Sequence, residues 1–381
     1  EKFINQAFEK GAIGAFCTGD NGTLQVKDTL TAYLQLANYR RKKLNFTVVA
    51  ITGSSGKTTT KELAASVLSE KFRTFKTPLN HNNEIGFCQT IFEAPDDTEI
   101  LVLEMGMRGL GEIELLSKYA EPDITIISNV GTAHIGRLGS RENIAKAKCE
   151  IVKYQRGNIF IAHDDELIKK TVQFSGKKIF YSIKDVKILE KDTHYSKFEY
   201  YGNIYELNVG GDYNIENALS AINTGLALRM KVNEIQSGLK KYAPIEKRWE
   251  AVNAGGFEII NDSYNANPES MRAFIDTIFE LYEKPVVILG DMGELGEDEI
   301  KYHSELGKYI NSHKNLRQDA EILSIGKLSK YITDGVTNCP AKHFETIEQA
   351  VDYIKNKDTK VQLFLKASRS MKFERIIEEL K

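Results

Sequence analysis

Cysteine is scarce in this sequence, and its few cysteines stand far apart. There are four of them, Cys17, Cys88, Cys149 and Cys339. None is paired with another at C-x-x-C spacing, so the pattern indicates neither a disulfide framework nor a zinc site. Unpaired cysteines favour a reducing compartment, and we therefore expect a cytoplasmic protein.

Long apolar runs and an excess of one charge are missing too. No apolar run approaches the roughly 18–20 residues that cross a bilayer. The first residues, Glu1–Phe3, contain neither a start Met nor the hydrophobic stretch of a signal peptide, and we expect the true N-terminus to be absent. The formal net charge is only -2, which gives no electrostatic reason to bind nucleic acid or a membrane surface. Small molecules are the expected partners.

The length of 381 residues predicts two or three domains. Residues 1–45 have helical spacing and resemble the remnant of a domain or a connector. From residue 46 onward, short apolar runs rich in Val, Ile and Phe alternate with amphipathic stretches, which predicts buried parallel strands joined by helices. The apolar runs are Phe46–Ile51, Ile100–Leu103, Ile124–Ile127, Phe257–Ile260, Val286–Leu289 and Val361–Leu365.

Residues 158–209 depart from this alternation. Stretches such as Lys197–Val209 alternate between apolar and polar residues, which predicts antiparallel strands, and a helix is predicted over Asn214–Arg229. Pro244 precedes a new series of strands, so a boundary is predicted near 245. The expected fold is α/β with mainly parallel sheets, divided into residues 1–45, 46–245 and 246–381.

A phosphate-binding loop is predicted after the first strand. Residues 52–60 have the sequence TGSSGKTTT between a predicted strand and a helix. The glycines permit a tight turn of inward-facing N–H groups, and the helix N-terminus favours an anion. Lys57 would reach the β- and γ-phosphates, and the Thr58 hydroxyl would ligate magnesium. The residues expected to bind the nucleotide here are Gly53, Ser54, Ser55, Gly56, Lys57, Thr58 and Thr59.

The loop is more compact than the common G-x-x-x-x-G-K-[ST] motif. Ile51 occupies the position of the first glycine of that motif. This difference argues against an ordinary GTPase and favours ligases with a G-x-x-G-K-T loop.

Polar side chains follow the apolar runs where each predicted strand ends. Ligands of open parallel sheets bind beyond the carboxyl ends of the strands, so these positions are candidates for one site. Glu104 is a candidate magnesium ligand because a hard cation prefers carboxylate oxygen. Taken singly, such a carboxylate is more simply a cap or a solvated charge, and a lone His134 is more often structural. Recurrence after five runs, alongside the phosphate loop, favours the functional interpretation.

Several segments in combination resemble the Mur ligases, a family of ATP-dependent amide-bond-forming enzymes. They are Thr52–Thr60, Thr77–Gly86, Glu104–Gly109, Asn129–His134 and Asp262–Pro268. Two further segments, Gly136–Lys148 and Gly290–Gly296, are most similar to the members that add D-alanyl-D-alanine. The resemblance covers the chain from about residue 1 to its C-terminus. It implies that 1–45 is the remnant of a UDP-sugar-binding domain, that 46–245 is an ATPase and that 246–381 is Rossmann-like.

The resemblance also implies two magnesium ions. Thr58 and Glu104 would hold the first, and Glu104, His134 and a carbamylated Lys148 would hold or support the second. Carbamylation turns the lysine ammonium into an anionic oxygen ligand. Lys146 lies two residues away on a predicted helix and faces another direction. The catalytic residues that the resemblance implies are Lys57, Lys148, His134 and Arg248.

Further roles follow from the resemblance residue by residue. Arg248 would lie at the γ-phosphate, Asn217 near the ATP base and Asp262 on the ribose. Leu79 stands where relatives usually have Gly, which would stiffen its loop. The residues implied to bind the muramoyl substrate, the peptide or the dipeptide are Asn80, Asn82, Asn83, Asn265, Asn267, Lys366, Ser368 and Arg369.

The implied activity is ATP-dependent addition of D-alanyl-D-alanine to UDP-N-acetylmuramoyl-tripeptide through an acyl phosphate, in peptidoglycan precursor synthesis, by a monomer. One alternative is another Mur-type or folylpolyglutamate synthetase-like amide ligase, against which the YNANP motif at 264–268 argues. Another is a nucleotide-binding regulator without turnover. That alternative predicts a lost metal ligand, whereas Thr58, Glu104, His134 and Lys148 are all present.

Overall fold

The N-terminal segment packs on one side of the central sheet. A computed structural model of the chain describes residues 2–20, 23–245, 247–358 and 361–381. The segment contains α1 (Ile4–Glu9), β1 (Phe16–Cys17), β2 (Leu24–Gln25) and α2 (Thr29–Leu44), with β1 and β2 parallel. The buried Arg41 of α2 donates hydrogen bonds to the carbonyls of Ala120 and Glu121 at 2.8 and 3.0 Å. These bonds fix α2 to the body of the protein.

The central sheet has six parallel strands. Its elements are β3 (Thr47–Thr52), α3 (Lys57–Leu68), β4 (Thr74–Lys76), α4 (Glu84–Glu93), β5 (Ile100–Glu104), α5 (Glu112–Ala120), β6 (Ile124–Ile127), α6 (Ile135–Leu138), α7 (Arg141–Cys149), β7 (Ile159–His163), α8 (Glu166–Thr171) and β8 (Lys177–Tyr181). The strand order is β4-β5-β3-β6-β7-β8. The inner strands β3, β5 and β6 are buried almost throughout, which explains their unbroken apolar sequences.

The expected antiparallel strands occupy only part of residues 158–209. Strands β9 (Lys187–Lys191), β10 (Ser196–Tyr200) and β11 (Asn203–Leu207) form the antiparallel sheet. For β7 and β8 the expectation is wrong, because both are parallel strands of the main sheet. The edge strand β8 begins with two exposed lysines, so it lacks the continuous apolar run of a strand buried on both faces.

The C-terminal sheet also has six strands. After α9 (Asp212–Ala227) and α10 (Val232–Lys241), its elements are β12 (Glu250–Ala254), β13 (Phe257–Asn261), α11 (Pro268–Leu281), β14 (Val286–Gly290), α12 (Glu299–Asn311), β15 (Glu321–Ile325), α13 (Lys330–Thr333), β16 (Ala341–Phe344), α14 (Ile347–Lys355), β17 (Leu363–Lys366) and α15 (Glu374–Leu380). The order is β12-β13-β17-β14-β15-β16, and only the edge strand β12 is antiparallel to its neighbour. The predicted α/β class, with a parallel central sheet and a Rossmann-like C-terminal sheet, is confirmed.

A continuous apolar core joins the two large sheets. Trp249, the only tryptophan of the chain, is 3% exposed at this junction. Its ring lies edge-on to Tyr213 and Phe274, with centroids 5.8 and 5.7 Å away. Its indole N–H donates a hydrogen bond to the Thr193 carbonyl at 3.0 Å. The junction therefore holds the sheets on either side of a shared cavity.

The length and apolar character of the helices show whether any of them could cross a membrane. Across the described ranges, none of them combines the length and the apolar character that crossing a bilayer requires.

Candidate active site

A cavity of about 710 Å³ lies between the central and C-terminal sheets. The loops that follow β3, β5, β6 and β13 contribute to its wall, as does Lys366 at the end of β17, as expected for open parallel sheets. Most of the predicted site residues meet in this wall. They are Ser54, Ser55, Gly56, Lys57, Thr58, Thr59, Asn80, Asn82, Asn83, Glu104, His134, Asn217, Arg248, Asp262, Asn265, Asn267 and Lys366.

Asn129 holds the shape of the phosphate loop. Its side-chain oxygen accepts the N–H groups of Ser54 and Ser55 at 3.1 and 3.0 Å, and its amide donates to the Ser55 hydroxyl at 2.7 Å. Ser128 donates to the Ser55 carbonyl at 2.6 Å, and a Cβ on Gly53 would lie 1.8 Å from the Ser128 hydroxyl. No individual role was predicted for Asn129. The sequence feature that could have indicated this role is the position of Asn129 just after β6, the strand beside β3.

Gly56 makes the turn from the loop into α3. Its φ is +74°, and a Cβ there would lie 2.4 Å from the Asn217 side-chain oxygen. Asn217 also accepts a hydrogen bond from the Thr60 hydroxyl at 3.2 Å. The first N–H groups of α3 have no acceptor within the helix, so they face the cavity as an anion site.

The Lys57 side chain folds back over the loop. Its ammonium donates to the Gly53 carbonyl at 2.8 Å. Burial lowers the pKa of Lys57, and the nearby Glu104 carboxylate partly offsets this effect. A cation that is partly desolvated in a cavity interacts strongly with a phosphate that enters it.

Glu104 has the features of a ligand for a hard cation. It is 4% exposed, and one carboxylate oxygen accepts a hydrogen bond from Asn82 at 2.9 Å. The other oxygen is buried and has no hydrogen-bond donor among the residues described. Thr58 lies in the same wall. Mg²⁺ is commonly held by one or two carboxylates together with substrate phosphates, so Glu104 and Thr58 fit this ion.

His134, another predicted metal ligand, contacts the C-terminal half of the chain. Its Nδ1 lies 2.6 Å from Oε2 of Glu294. The hydrogen bond with His134 lowers the pKa of Glu294. Within the described ranges, no three His, Cys, Asp or Glu side chains converge on a possible metal position. Glu294 belongs to the segment Gly290–Gly296, whose sequence resembles the family. The resemblance implies no individual role for Glu294.

Lys148 lies behind the cavity wall on α7. It is 1% exposed, whereas Lys146 on the same helix is exposed. Burial lowers the pKa of Lys148 well below its ordinary value, and the charge of Lys57 lowers it further. The environment therefore favours a neutral amine, the form that reacts with CO2.

A second buried lysine, Lys61, was not among the predicted site residues. Its ammonium donates to the carbonyls of Thr77 and Leu79 at 2.9 and 3.0 Å and lies 3.8 Å from Glu104. Leu79 has a φ of +45°, a conformation that glycine adopts without strain. Lys61 therefore helps to hold the loop that carries Leu79. The sequence feature that could have indicated this role is the position of Lys61 one turn after Lys57 on the same helix.

The C-terminal sheet contributes Asp262 and Lys366, which form an ion pair at 2.5 Å. This ion pair places a carboxylate and an ammonium side by side in the wall, so Asp262 and Lys366 cannot act independently of each other. Nearby in the same wall, the Arg248 guanidinium lies over the Tyr264 ring, 3.9 Å from its centroid.

Some predicted residues have structural partners instead of facing the cavity freely. Asn83 and Asn267 cap α4 and α11, and Asn265 bonds to the next N–H of its own loop. Ser368 and Arg369 do not line the cavity. Arg369 pairs with Glu374 at 2.8 Å. Their roles in substrate binding stay predictions.

Two domain families match the chain. Residues 51–225 match the Mur ligase middle domain, and residues 247–369 match the glutamate ligase domain of Mur ligases. The chain belongs to the Mur ligase family, and the predictions of this family and of an ATP-dependent ligase are confirmed.

Curated relatives that are similar over almost the whole chain include D-alanyl-D-alanine-adding ligases. The UDP-N-acetylmuramoyl-tripeptide–D-alanyl-D-alanine ligase of Bacillus subtilis is 36% identical over 406 aligned positions, which cover 99% of this chain and 87% of the relative. The same ligase of Haemophilus influenzae is 30% identical, with 100% and 88% covered.

Solved structures agree with these sequence relatives. MurF from Acinetobacter baumannii has a TM-score of 0.89 at 28% identity, and the match covers 100% of this chain and 87% of that one. MurF from Thermotoga maritima in complex with ADP has a TM-score of 0.87 at 28% identity, with 100% and 90% covered.

Proposed function

We propose that this chain joins D-alanyl-D-alanine to UDP-N-acetylmuramoyl-tripeptide at the expense of ATP, in peptidoglycan precursor synthesis. The observation that carries the proposal is the single cavity in which the phosphate loop, Glu104 and the C-terminal residues Arg248, Asp262 and Lys366 meet. Relatives of similar length are named for this reaction. The cavity lies within the range of about 300–1,000 Å³ that is common for ligand sites.

The residues of the cavity suit the formation and capture of an acyl phosphate. Lys57, the N-terminus of α3 and Arg248 supply positive charge where the γ-phosphate would lie. The terminal carboxylate of the tripeptide would attack this phosphate and release ADP. The dipeptide amine would then attack the acyl carbon, lose a proton and displace inorganic phosphate as the amide bond forms. The cavity between the sheets keeps water from the acyl phosphate.

The magnesium ions would be held by Thr58, Glu104, His134 and Lys148 as a carbamate. When bound, such ions neutralise the charge of the phosphates. The Glu104 oxygen that accepts no hydrogen bond among the residues described supports the first site. The neutral amine favoured at Lys148 supports carbamylation. Two ions in all, with Glu104 shared between them, complete the proposed site.

Further details of the proposal concern the chain as a whole. We propose domain boundaries near 45 and 245, a monomer and a cytoplasmic location. The four cysteines are free and buried, which supports the reducing compartment.

Release of ADP that depends on the dipeptide tests the function. The chain is incubated with Mg-ATP and UDP-muramoyl tripeptide, and ADP is measured with and without D-alanyl-D-alanine. We expect ADP release only with both acceptors, and about 100-fold slower release in Lys57→Met. Release that depends on glutamate and a folate instead of these acceptors would favour the folylpolyglutamate-type alternative, and nucleotide binding without turnover would favour the regulator.

A further inference from the structure

We infer that Glu294 is a positioning residue, which orients the imidazole of His134 only when the C-terminal sheet is docked on the central sheet. Docking of the two halves would thereby complete the metal site. The inference rests on the proposed role of His134 in that site. It concerns a residue that the family resemblance left without a role.

The contact between the two side chains orients the imidazole. Glu294 Oε2 lies 2.6 Å from Nδ1 of His134. The carboxylate thereby occupies the Nδ1 side of the ring and leaves Nε2 as the ring nitrogen available to a metal. His134 precedes α6 in the central half, whereas Glu294 follows β14 in the C-terminal half. The orienting group is therefore present only when the two halves meet.

The loop that carries Glu294 is braced within the C-terminal half. The Asp291 carboxylate accepts N–H groups from three successive residues at 2.7–3.1 Å, namely Lys327, Leu328 and Ser329. The buried His303 accepts the Met292 N–H at 2.9 Å through Nε2 and contacts the Glu299 carbonyl at 2.7 Å through Nδ1. These bonds fix the start of the loop, so the position of the Glu294 carboxylate follows that of the C-terminal sheet.

Backbone conformation at the contact also indicates a specified arrangement. His134 and Glu294 have φ values of +66° and +62°, which cost free energy for residues other than glycine. Next to them, Gly136 meets Gly296 so closely that a Cβ on Gly136 would lie 2.6 Å from the Gly296 nitrogen. Two glycines thus permit an approach that side chains would block.

A second bond between the halves lies on the other side of His134. The Thr132 hydroxyl donates to the Glu269 carboxylate at 2.8 Å. The loop of His134 is therefore held by the C-terminal half at both of its ends. An ordinary surface ion pair would need none of these supports.

The test compares Glu294→Ala with Glu297→Gln, a change at an exposed acidic residue of the same loop region. Two readouts need no turnover: the ¹⁵N shifts of the His134 ring, assigned with His134→Asn, and Mn²⁺ affinity measured by electron paramagnetic resonance with AMP-PNP present. For Glu294→Ala we expect changed ¹⁵N shifts of the His134 ring and Mn²⁺ binding weakened about 10- to 100-fold. Glu297→Gln should match the unmodified protein in both readouts.

Unchanged ring shifts and Mn²⁺ affinity in Glu294→Ala would overturn the inference, and so would equal losses in Glu297→Gln. Because neither readout uses the peptide substrates, they can succeed even if ADP release fails to depend on the dipeptide. That failure would count against the proposed function alone.

A steric variant tests the docking part separately. Gly136→Ala should hold the halves apart, seen as a longer distance between fluorescent labels placed on the two sheets, and should weaken Mn²⁺ binding as Glu294→Ala does. Gly293→Ala is the matched control, since its Cβ would meet only the Ser368 Cβ at 3.8 Å. An unchanged distance in a folded Gly136→Ala protein would contradict the docking requirement.

Discussion

Three lysines near the phosphate loop have the same side chain but different surroundings. Lys61 is fully buried and bonded to two carbonyls beside Glu104. Lys57 bonds back to Gly53 in the cavity wall. Lys148 is buried with no carboxylate among the causes of its lowered pKa. Because burial without an anion disfavours the ammonium, Lys148 is suited to exist as a free amine.

Replacing Lys148 with Met should stabilise the protein while abolishing turnover. In CO2-free buffer at pH 7 we expect a gain of about 1–2 kcal/mol in unfolding free energy, because the variant buries no amine. The unfolded chain keeps the lysine proton up to its ordinary pKa of 10.5, whereas the folded chain loses it at lower pH. Unmodified protein therefore gains stability as pH rises towards 10.5, and the advantage of Met shrinks.

Urea unfolding at pH 7 and pH 9 measures this difference. Lys146→Met on the same helix is the control, and its exposed side chain should change stability little at either pH. A Lys148→Met protein that is less stable at pH 7, or whose advantage does not depend on pH, would contradict the buried-amine account.

Lys61→Met should destabilise the protein strongly, in contrast to Lys148→Met. Removing the ammonium takes the Lys61 ion pair from the buried Glu104 carboxylate and frees two carbonyls, at a cost of about 3–5 kcal/mol. Lys76→Met is the control, because Lys76 pairs with Glu62 near the surface and its loss should cost at most about 1 kcal/mol. Thermal unfolding with and without Mg-AMP-PNP measures both, and equal losses in the two variants would contradict the role of Lys61.

At the scale of elements, the sequence predicts what local rules determine. The strand, turn and helix around Gly53–Thr59 follow from an apolar run, two glycines and the start of a helical pattern. The loops after β5, β6, β13 and β17 were predicted to converge because parallel strands share one edge. The hydrophobic pattern does not predict edge strands such as β8, because a strand that is exposed on one side lacks the continuous apolar run.

Contacts between distant elements could not be predicted in the same way. Nothing in the residues near His134 specifies Glu294 as its partner, and Asp262 and Lys366 were assigned to different ligands before the structure placed them together. Such pairs depend on how two sheets dock, which is a property of the whole tertiary structure and not of a local pattern.

The turn into α3 gives a prediction at this scale. Gly56→Ala should weaken nucleotide binding about 10- to 100-fold, because a residue with a Cβ is strained at the positive φ of this position and the new Cβ overlaps Asn217. Asn217→Ala removes the overlap but not the strain, so the loss in the double variant should be smaller than the sum of the two single losses. Calorimetric titration with AMP-PNP measures all three. Wild-type affinity in Gly56→Ala would show that the turn tolerates a side chain.

At the scale of the molecule, one apolar core spans two sheets that each belong to a different domain family. Trp249 lies where the two parts of the core meet and touches rings from α9 and α11. Proteins with separate domain cores often unfold in separate steps, whereas a shared core couples them. The extent of coupling should therefore depend on this one side chain.

We expect the unmodified protein to unfold in a single calorimetric transition, with Trp249 fluorescence and circular dichroism changing together. Trp249→Ala should remove about 3–5 kcal/mol of packing at the junction and split the transition into two. Trp249→Phe keeps an aromatic ring between Tyr213 and Phe274, so it should lower the midpoint while retaining one transition. Trp249 also lines the cavity. Loss of its packing between the two sheets would therefore also weaken the docking on which the Glu294–His134 contact depends. A single transition in Trp249→Ala would show that other contacts between the halves carry the coupling.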